Sequence, residues 1–244
     1  ATVPPRIQLR TILRGLLLAG LVGLAAQTPA RTGAQAQDGE LPPNRAEFGL
    51  IYDGLLPRAA NGPCGNRYVL PDGSCTHGPD PLPPGLDISA DVPALPAERQ
   101  INEVVCDGDG VTGKRVQVMY VRAADAADRY AQYSASIRTW SSQMDDLFYL
   151  SAQETGGSMR VRFVTDAACA LQVLNVVVPA NGDDTFGASI SALRTLGHSR
   201  SDRKYLMFFD ARVYCGIAQF ANDDRAGAVN LHNSGPMYGR VDAG

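Results

Sequence analysis

The residue types that most often carry chemistry are scarce in this chain, which has three histidines and five cysteines among 244 residues. His77, His198 and His232 lie far apart in sequence. None stands in the H-E-x-x-H spacing that places two imidazoles on one helix face to bind zinc. His198 and His232 both lie in polar stretches with glycine nearby, which are typical of loops. We therefore expect loop positions for these two, with a catalytic role for His232 as the alternative.

Two other short motifs resemble parts of known functional sites. Asp107 and Asp109 have the one-residue spacing of some calcium ligands, but the stretch lacks the glutamate at the twelfth position of an EF-hand. A tight turn is therefore the favoured interpretation. Gly187 and Ser189 match only the start of a G-x-S-x-G nucleophile elbow, and an ordinary helix start is expected there. The sequence assigns no catalytic and no metal-ligating residue within this chain.

The cysteines indicate an oxidising compartment. Cys64 and Cys75 are close enough in sequence to close a small loop, so we predict a disulfide between them. An odd number of cysteines leaves one thiol free or bonded outside the given sequence, and Cys215 is our candidate for it.

Residues 1–36 have the layout of a secretory signal peptide. Arginines precede an apolar run at Gly15–Ala26, and the small residues Ala34 and Ala36 follow where a signal peptidase reads. The run is shorter than the roughly 20 residues needed to cross a bilayer. We expect an extracellular protein with no stable membrane anchor after signal removal, and a retained anchor is the alternative. Because the first residue is Ala1, we expect the sequence to be part of a longer product.

The net charge of -3 and the pI near 5.6 argue against a nucleic-acid partner, because there is no excess of basic side chains to neutralise phosphates. Beyond the signal peptide, residues 37–103 form a Pro/Gly-rich extension without a persistent helical or strand period. Residues 104–244 alternate strand-like and helix-like patterns, which predicts an α/β domain truncated at its C-terminal end. Its strand-like runs are Arg115–Val121, Ser158–Asp166, Ala170–Pro179 and Lys204–Ala211.

The longest pattern predicts one amphipathic helix from Arg129 to Glu154. Its large apolar residues recur at spacings of three and four, which places them on one face: Tyr130, Tyr133, Ile137, Trp140, Met144, Leu147 and Phe148. The opposite, polar face is expected to be solvated, and Trp140 is expected in the core. A shorter helix is predicted from Phe186 to Leu196. These elements predict a mixed, mostly parallel sheet with a long backing helix, followed by an irregular stretch from Val213 onward.

Several stretches of this domain resemble the front part of bacterial secreted proteins with a metzincin-type zinc metallopeptidase domain. The stretches are DGDGVTGKRVQVMYV, YLSAQETGG, RVRFVTD, KYLMFFDARVYCGIAQF and HNSGPMYGRVDAG, and the resemblance covers about residues 104–244. In such domains a strand, a long backing helix, further strands and an antiparallel edge strand come first, and the zinc helix with H-E-x-x-H follows. This chain ends before that helix.

The resemblance implies a zinc-dependent endopeptidase in which three imidazoles hold zinc and a glutamate activates a water. Zinc is expected for the full-length product only, none is expected to be bound by this chain, and the chain alone should be inactive. The implied partner is a peptide or protein substrate. Four residues near the edge strand are candidates for pairing with that substrate, with a plain loop as the alternative: Ser234, Gly235, Met237 and Tyr238. The competing hypothesis is a secreted non-catalytic α/β binding or structural protein, and the sequence predicts no oligomeric state.

Overall fold

The computed structural model describes residues 39–97 and 103–242. The predicted signal peptide, residues 1–36, lies outside the described residues. Within the described ranges, no helix combines the length and the apolar character needed to cross a bilayer.

A seven-stranded mixed sheet organises the fold. Its strands in chain order are β1 (Tyr68–Val69), β2 (Cys75–Thr76), β3 (Arg115–Ala123), β4 (Val173–Val178), β5 (Arg203–Phe209), β6 (Gly216–Phe220) and β7 (Met237–Asp242). In space they lie in the order β1-β2-β6-β7-β5-β3-β4. The pairings of β3 with β4, β3 with β5 and β5 with β7 are parallel, whereas β6 runs antiparallel to β7. The predicted α/β class with a mixed sheet is confirmed.

Two helices cover opposite faces of this sheet, α1 (Tyr130–Glu154) and α2 (Phe186–Thr195). Strand β3 is buried along most of its length because it lies between β4 and β5 and packs on both faces of the sheet. On the α1 side, the buried core consists of Val118, Tyr120, Tyr133, Ile137, Phe163, Leu171, Val173 and Phe208. On the α2 side, the larger core includes Met119, Val121, Phe186, Ile190, Leu193, Met207, Phe209 and Tyr214.

Helix α1 has the predicted length, but its faces differ from the prediction. Tyr133 and Ile137 are buried as expected, and the ring of Trp140 is stacked on Phe208 with centroids 5.9 Å apart. The face predicted to be solvated is partly covered: Ser136, Ser142 and Asp145 are buried, whereas Gln132, Gln143 and Asp146 are exposed as predicted. The extension and the chain after α1 lie over that face. The Ser136 hydroxyl accepts from the N–H of Leu95 at 2.8 Å, and the Asp145 carboxylate accepts from the N–H of Val161 at 2.5 Å.

Helix α2 begins and packs as its sequence indicates. The hydroxyl of Thr185 accepts from the N–H of Ala188 at 3.2 Å, which caps the first turn. Phe186, Ile190 and Leu193 are buried against the sheet, whereas Leu196 follows the helix and is exposed.

Two strand predictions were wrong. Residues Ser158–Asp166 form two isolated bridges and no regular strand, since Phe163 bridges Val116 of β3 and Thr165 bridges Leu171. Conversely, β6 and β7 lie in the stretch predicted to be irregular. Each of these two strands is short and contains glycine, so neither has a clear apolar alternation, and their pairing with each other and with β5 holds them extended.

The extension contributes to the core of the α2 side. Leu55, Tyr68 and Leu70 are buried there, although their segment has no regular period. A disulfide joins Cys64 to Cys75, the pairing predicted from their proximity. A second disulfide joins Cys106 to Cys169 and ties the segment before β3 to the loop before β4. Cys215 is a free, half-buried thiol.

Candidate functional site

Helix α1 covers only part of its side of the sheet. Beyond it, Leu206 of β5, Ala218 of β6, and Met237 and Gly239 of β7 are half-buried, and no described element lies over them. We call this surface the open face. Together with Met144 and Phe148 of α1, it lines a groove of about 360 Å³. An uncovered apolar sheet face beside a helix is the most prominent candidate for a functional surface in the described part of the chain.

The position of the groove follows from the lengths of the elements. Helix α1 has 25 residues and spans about 37 Å, whereas β3 has nine residues and spans about 30 Å. The last turns of α1 therefore extend beyond the amino ends of the strands. There Leu147 is 68% exposed and Phe148 is 43% exposed. Apolar residues that continue the buried stripe of the helix are thus left without a partner among the described residues.

The four candidate substrate residues do not share one surface. Ser234 and Gly235 lie at the amino end of β7, where their carbonyl oxygens accept hydrogen bonds from Lys204 Nζ at 3.3 and 2.9 Å. Met237 lines the groove. Tyr238 points to the α2 side, where its ring stacks on Tyr205 at 5.1 Å and its hydroxyl donates to the His198 carbonyl at 2.6 Å. Of the four, Met237 therefore presents its side chain to the groove, Gly235 lines a neighbouring pocket, and the side chain of Tyr238 is directed to the other side of the sheet.

The outer edge of β6 is occupied. Cys75 and Thr76 of β2 pair with Phe220 and Gln219, and the N–H of Asp80 donates to the Gly216 carbonyl at 2.7 Å. The disulfide at Cys75 anchors this segment. The backbone groups that were expected to pair with a peptide substrate are therefore bonded to the extension.

A cluster of polar side chains lies at the carboxyl ends of the parallel strands, away from the groove. The Asp210 carboxylate, just after β5, accepts from the Tyr120 hydroxyl at 2.5 Å and from Arg129 Nε at 3.0 Å. Burial, together with the hydrogen bond to Asp210, raises the pKa of Tyr120. The hydrogen bonds with Asp210 raise the pKa of Arg129. This cluster fixes the start of α1 and has its charges paired, which suits a structural brace better than a reactive group.

The sequence analysis did not predict this cluster, although the place of Asp210 in the sequence could have indicated it. Asp210 directly follows the apolar run of β5, and polar residues at the carboxyl ends of parallel strands converge. Asp242 follows the same rule at the end of β7. It pairs with the buried Arg240, whose Nε lies 2.8 Å from Asp242 Oδ1.

The histidines and Ser189 occupy separate positions, and of these four residues only His232 lines the groove. His198 contacts the ring of Tyr205, and burial lowers its pKa. His232 stacks on Phe220 at 6.4 Å, and His77 lies 3.6 Å from Asp80. Ser189 is buried in α2 and donates to the Gly182 carbonyl at 2.9 Å.

The Asp109 carboxylate accepts from the N–H groups of Val111 and Thr112, as in a tight turn. Among residues 39–97 and 103–242, no three histidine, cysteine, aspartate or glutamate side chains are grouped to hold a metal ion. The described residues therefore do not fit a zinc site.

Comparisons of the chain with protein-family models, with curated proteins and with solved structures gave no match.

Proposed function

We propose that this chain forms the front part of a secreted zinc-dependent endopeptidase, with the zinc ligands and the general base on residues that follow Gly244. The observation that supports this most is the order of the elements. Strand β3, the long helix α1, the parallel strands β4 and β5 and the antiparallel strand β6 follow one another in the order that the metzincin resemblance implies. Two features depart from it, because β6 lies inside the sheet and the parallel strand β7 follows it. Two disulfides fit export to an oxidising compartment.

The open face supplies the second argument. A helix that follows β7 and returns beside α1 would lie over Leu206, Ala218 and Gly239. Glycine in a strand often marks the close approach of another backbone, and a Cβ at Gly239 would meet only the Ala218 side chain, at 3.8 Å. In the proposed protein, α1 braces the sheet from the same side and the open face receives the zinc helix. No step of peptide hydrolysis is assigned to the described residues, because they do not fit the metal.

The alternative function is a secreted α/β binding protein without catalysis. The pairing of residues 75–80 along β6 favours the binding protein. It occupies the backbone N–H and C=O groups of β6 with which an extended peptide substrate would form hydrogen bonds. If the protein is a peptidase, its substrate must bind to backbone groups other than those of β6, or residues 75–80 must first leave β6.

The variant Gly239→Leu tests the proposed role of the open face. In the 244-residue chain, the new side chain projects into the groove and should change the free energy of unfolding by less than about 1 kcal/mol. In the longer product, the same side chain should obstruct the zinc helix and lower both bound zinc and peptidase activity at least tenfold. Leu196→Ala, an exposed change on the other side of the sheet, is the control. Full zinc content and activity in the longer Gly239→Leu variant would refute this role.

A further inference from the structure

The chain has only two lysines, Lys114 and Lys204, and both line one pocket of about 290 Å³. The pocket lies at the amino ends of β3 and β5. Strand pairing explains why the lysines meet: Lys204 lies opposite Val116, and Lys114 precedes Val116 by two residues. Two adjacent parallel strands thus bring the two ammonium groups to the same end of the sheet.

The charge of this pocket is opposite to that of the whole chain. Arg115, Arg162 and Arg203 line it together with the two lysines, against the single lining carboxylate of Asp202. Asp107 pairs with Arg162 from outside the pocket. Three positive charges remain unbalanced even when Asp107 is included, whereas the chain carries a net charge of -3. Clustering of positive charge in a concave surface raises the local concentration of anions.

The lysines differ from the arginines in what they bind. Arg115 and Arg203 donate to backbone carbonyls of the loop before β3, and Arg115 also donates to the Phe163 carbonyl, so their guanidinium groups are already engaged. Lys204 donates to two carbonyls, which leaves one of its three N–H groups available. Within the described residues, neither Lys114 nor Lys204 pairs with a carboxylate. Arg162 and Arg203 are in ion pairs, and Arg115 is held by three backbone carbonyls. The two ammonium groups are therefore the lining cations that a ligand can reach most directly.

We propose that this pocket is a binding site for a small tetrahedral oxyanion of the phosphate or sulfate class. A divalent anion between Lys114 and Lys204 would balance two of the three excess charges. Ammonium groups bind such anions as point charges and need no planar, bidentate geometry. The proposal does not rest on the proposed peptidase function, although Lys204 also lines the groove beside the open face.

The electrostatics of Lys204 agree with this geometry. Burial, and then the charge of Lys114, lower the pKa of Lys204. A bound anion would offset the repulsion between the two ammonium groups and raise that pKa again.

Inorganic phosphate and sulfate, titrated into the protein by calorimetry at constant ionic strength, test the proposal. We expect saturable binding of both anions at one site, and at least tenfold weaker binding in Lys114→Gln and in Lys204→Gln. Arg45→Gln removes the same charge from an exposed position outside the pocket and should keep the wild-type affinity. The two lysines also allow a direct readout, because acetylation of each can be followed by mass spectrometry. Phosphate should slow acetylation of both at least fivefold.

Three results would overturn the proposal. These are phosphate affinities within twofold of wild type in both lysine variants, chloride binding as tight as phosphate binding, or acetylation rates that phosphate does not change. Circular dichroism spectra matching wild type would show that weaker binding in a variant does not come from unfolding.

Discussion

Replacing Arg240 by methionine should be among the most destabilising single changes in the described part of the chain. The Arg240 side chain is fully buried and pairs with Asp242. It also donates to the Asp183 carbonyl at 2.7 Å and to the Ser189 hydroxyl at 2.9 Å, and its guanidinium carbon lies 4.0 Å from the centre of the Phe209 ring. Methionine keeps most of the stem volume and removes the charge. The buried Asp242 carboxylate then loses its cation.

The expected loss in the free energy of unfolding is about 3 to 5 kcal/mol, the usual effect of breaking a buried ion pair from one side. Urea unfolding followed by the fluorescence of the single tryptophan, Trp140, measures it. With a urea dependence of about 2.5 kcal/mol per molar, the midpoint should fall by about 1 to 2 M. The double variant with Asp242→Asn should recover at least about 1 kcal/mol relative to the sum of the single changes.

Arg225→Met is a matched control, because Arg225 also pairs with an aspartate two residues away, Asp223, but its side chain is 59% exposed. Its loss should stay below about 1 kcal/mol. A loss below about 1 kcal/mol for Arg240→Met as well would refute the reasoning, since burial of the pair would then have no energetic effect.

Three further predictions concern other parts of the fold. Trp140→Ala should cost about 1 to 3 kcal/mol in urea unfolding, less than the 3 to 5 kcal/mol of a fully buried tryptophan, because Trp140 is only half-buried. Replacing Cys106 and Cys169 by alanine should cost about 4 kcal/mol, since their disulfide closes a loop with a separation of 63 residues; an unchanged melting temperature would contradict this. Burial pushes the pKa of Asp72 upward, but hydrogen bonds from Ser74 and the charge of Arg194 outweigh it, and the net shift is downward. Asp72 therefore stabilises the fold above about pH 4 and loses that effect as the pH falls through its lowered pKa, so Asp72→Asn should flatten the acid side of the stability curve.

The parts of the fold that could be predicted from sequence were those with a sustained period. Helix α1 was predicted within one residue of its observed start, and the runs that became β3, β4 and β5 were recognised because short, mainly apolar runs are typical of buried strands. Strands β6 and β7 were missed because they are short and contain glycine. Their extended form depends on pairing with distant segments, which a local pattern does not record.

The faces of α1 could not be predicted from its own sequence either. Serines and an aspartate on a helix normally indicate solvent, yet Ser136, Ser142 and Asp145 are buried because other segments supply hydrogen-bond partners for them. The proximity of Lys114 and Lys204 could not be predicted either, because it depends on which strands are neighbours in the sheet. Residues 90 positions apart become neighbours only once β3 and β5 pair.

The central claim is that this chain is the front part of a zinc-dependent endopeptidase, and chelator-sensitive proteolysis tests it most directly. The full-length product, purified after secretion, should cleave a generic protein substrate such as casein. It should lose that activity with 1,10-phenanthroline, and regain it with added zinc. Cleavage that resists the chelator, or no cleavage by a folded product that contains no zinc, would contradict the claim and favour the non-catalytic binding protein.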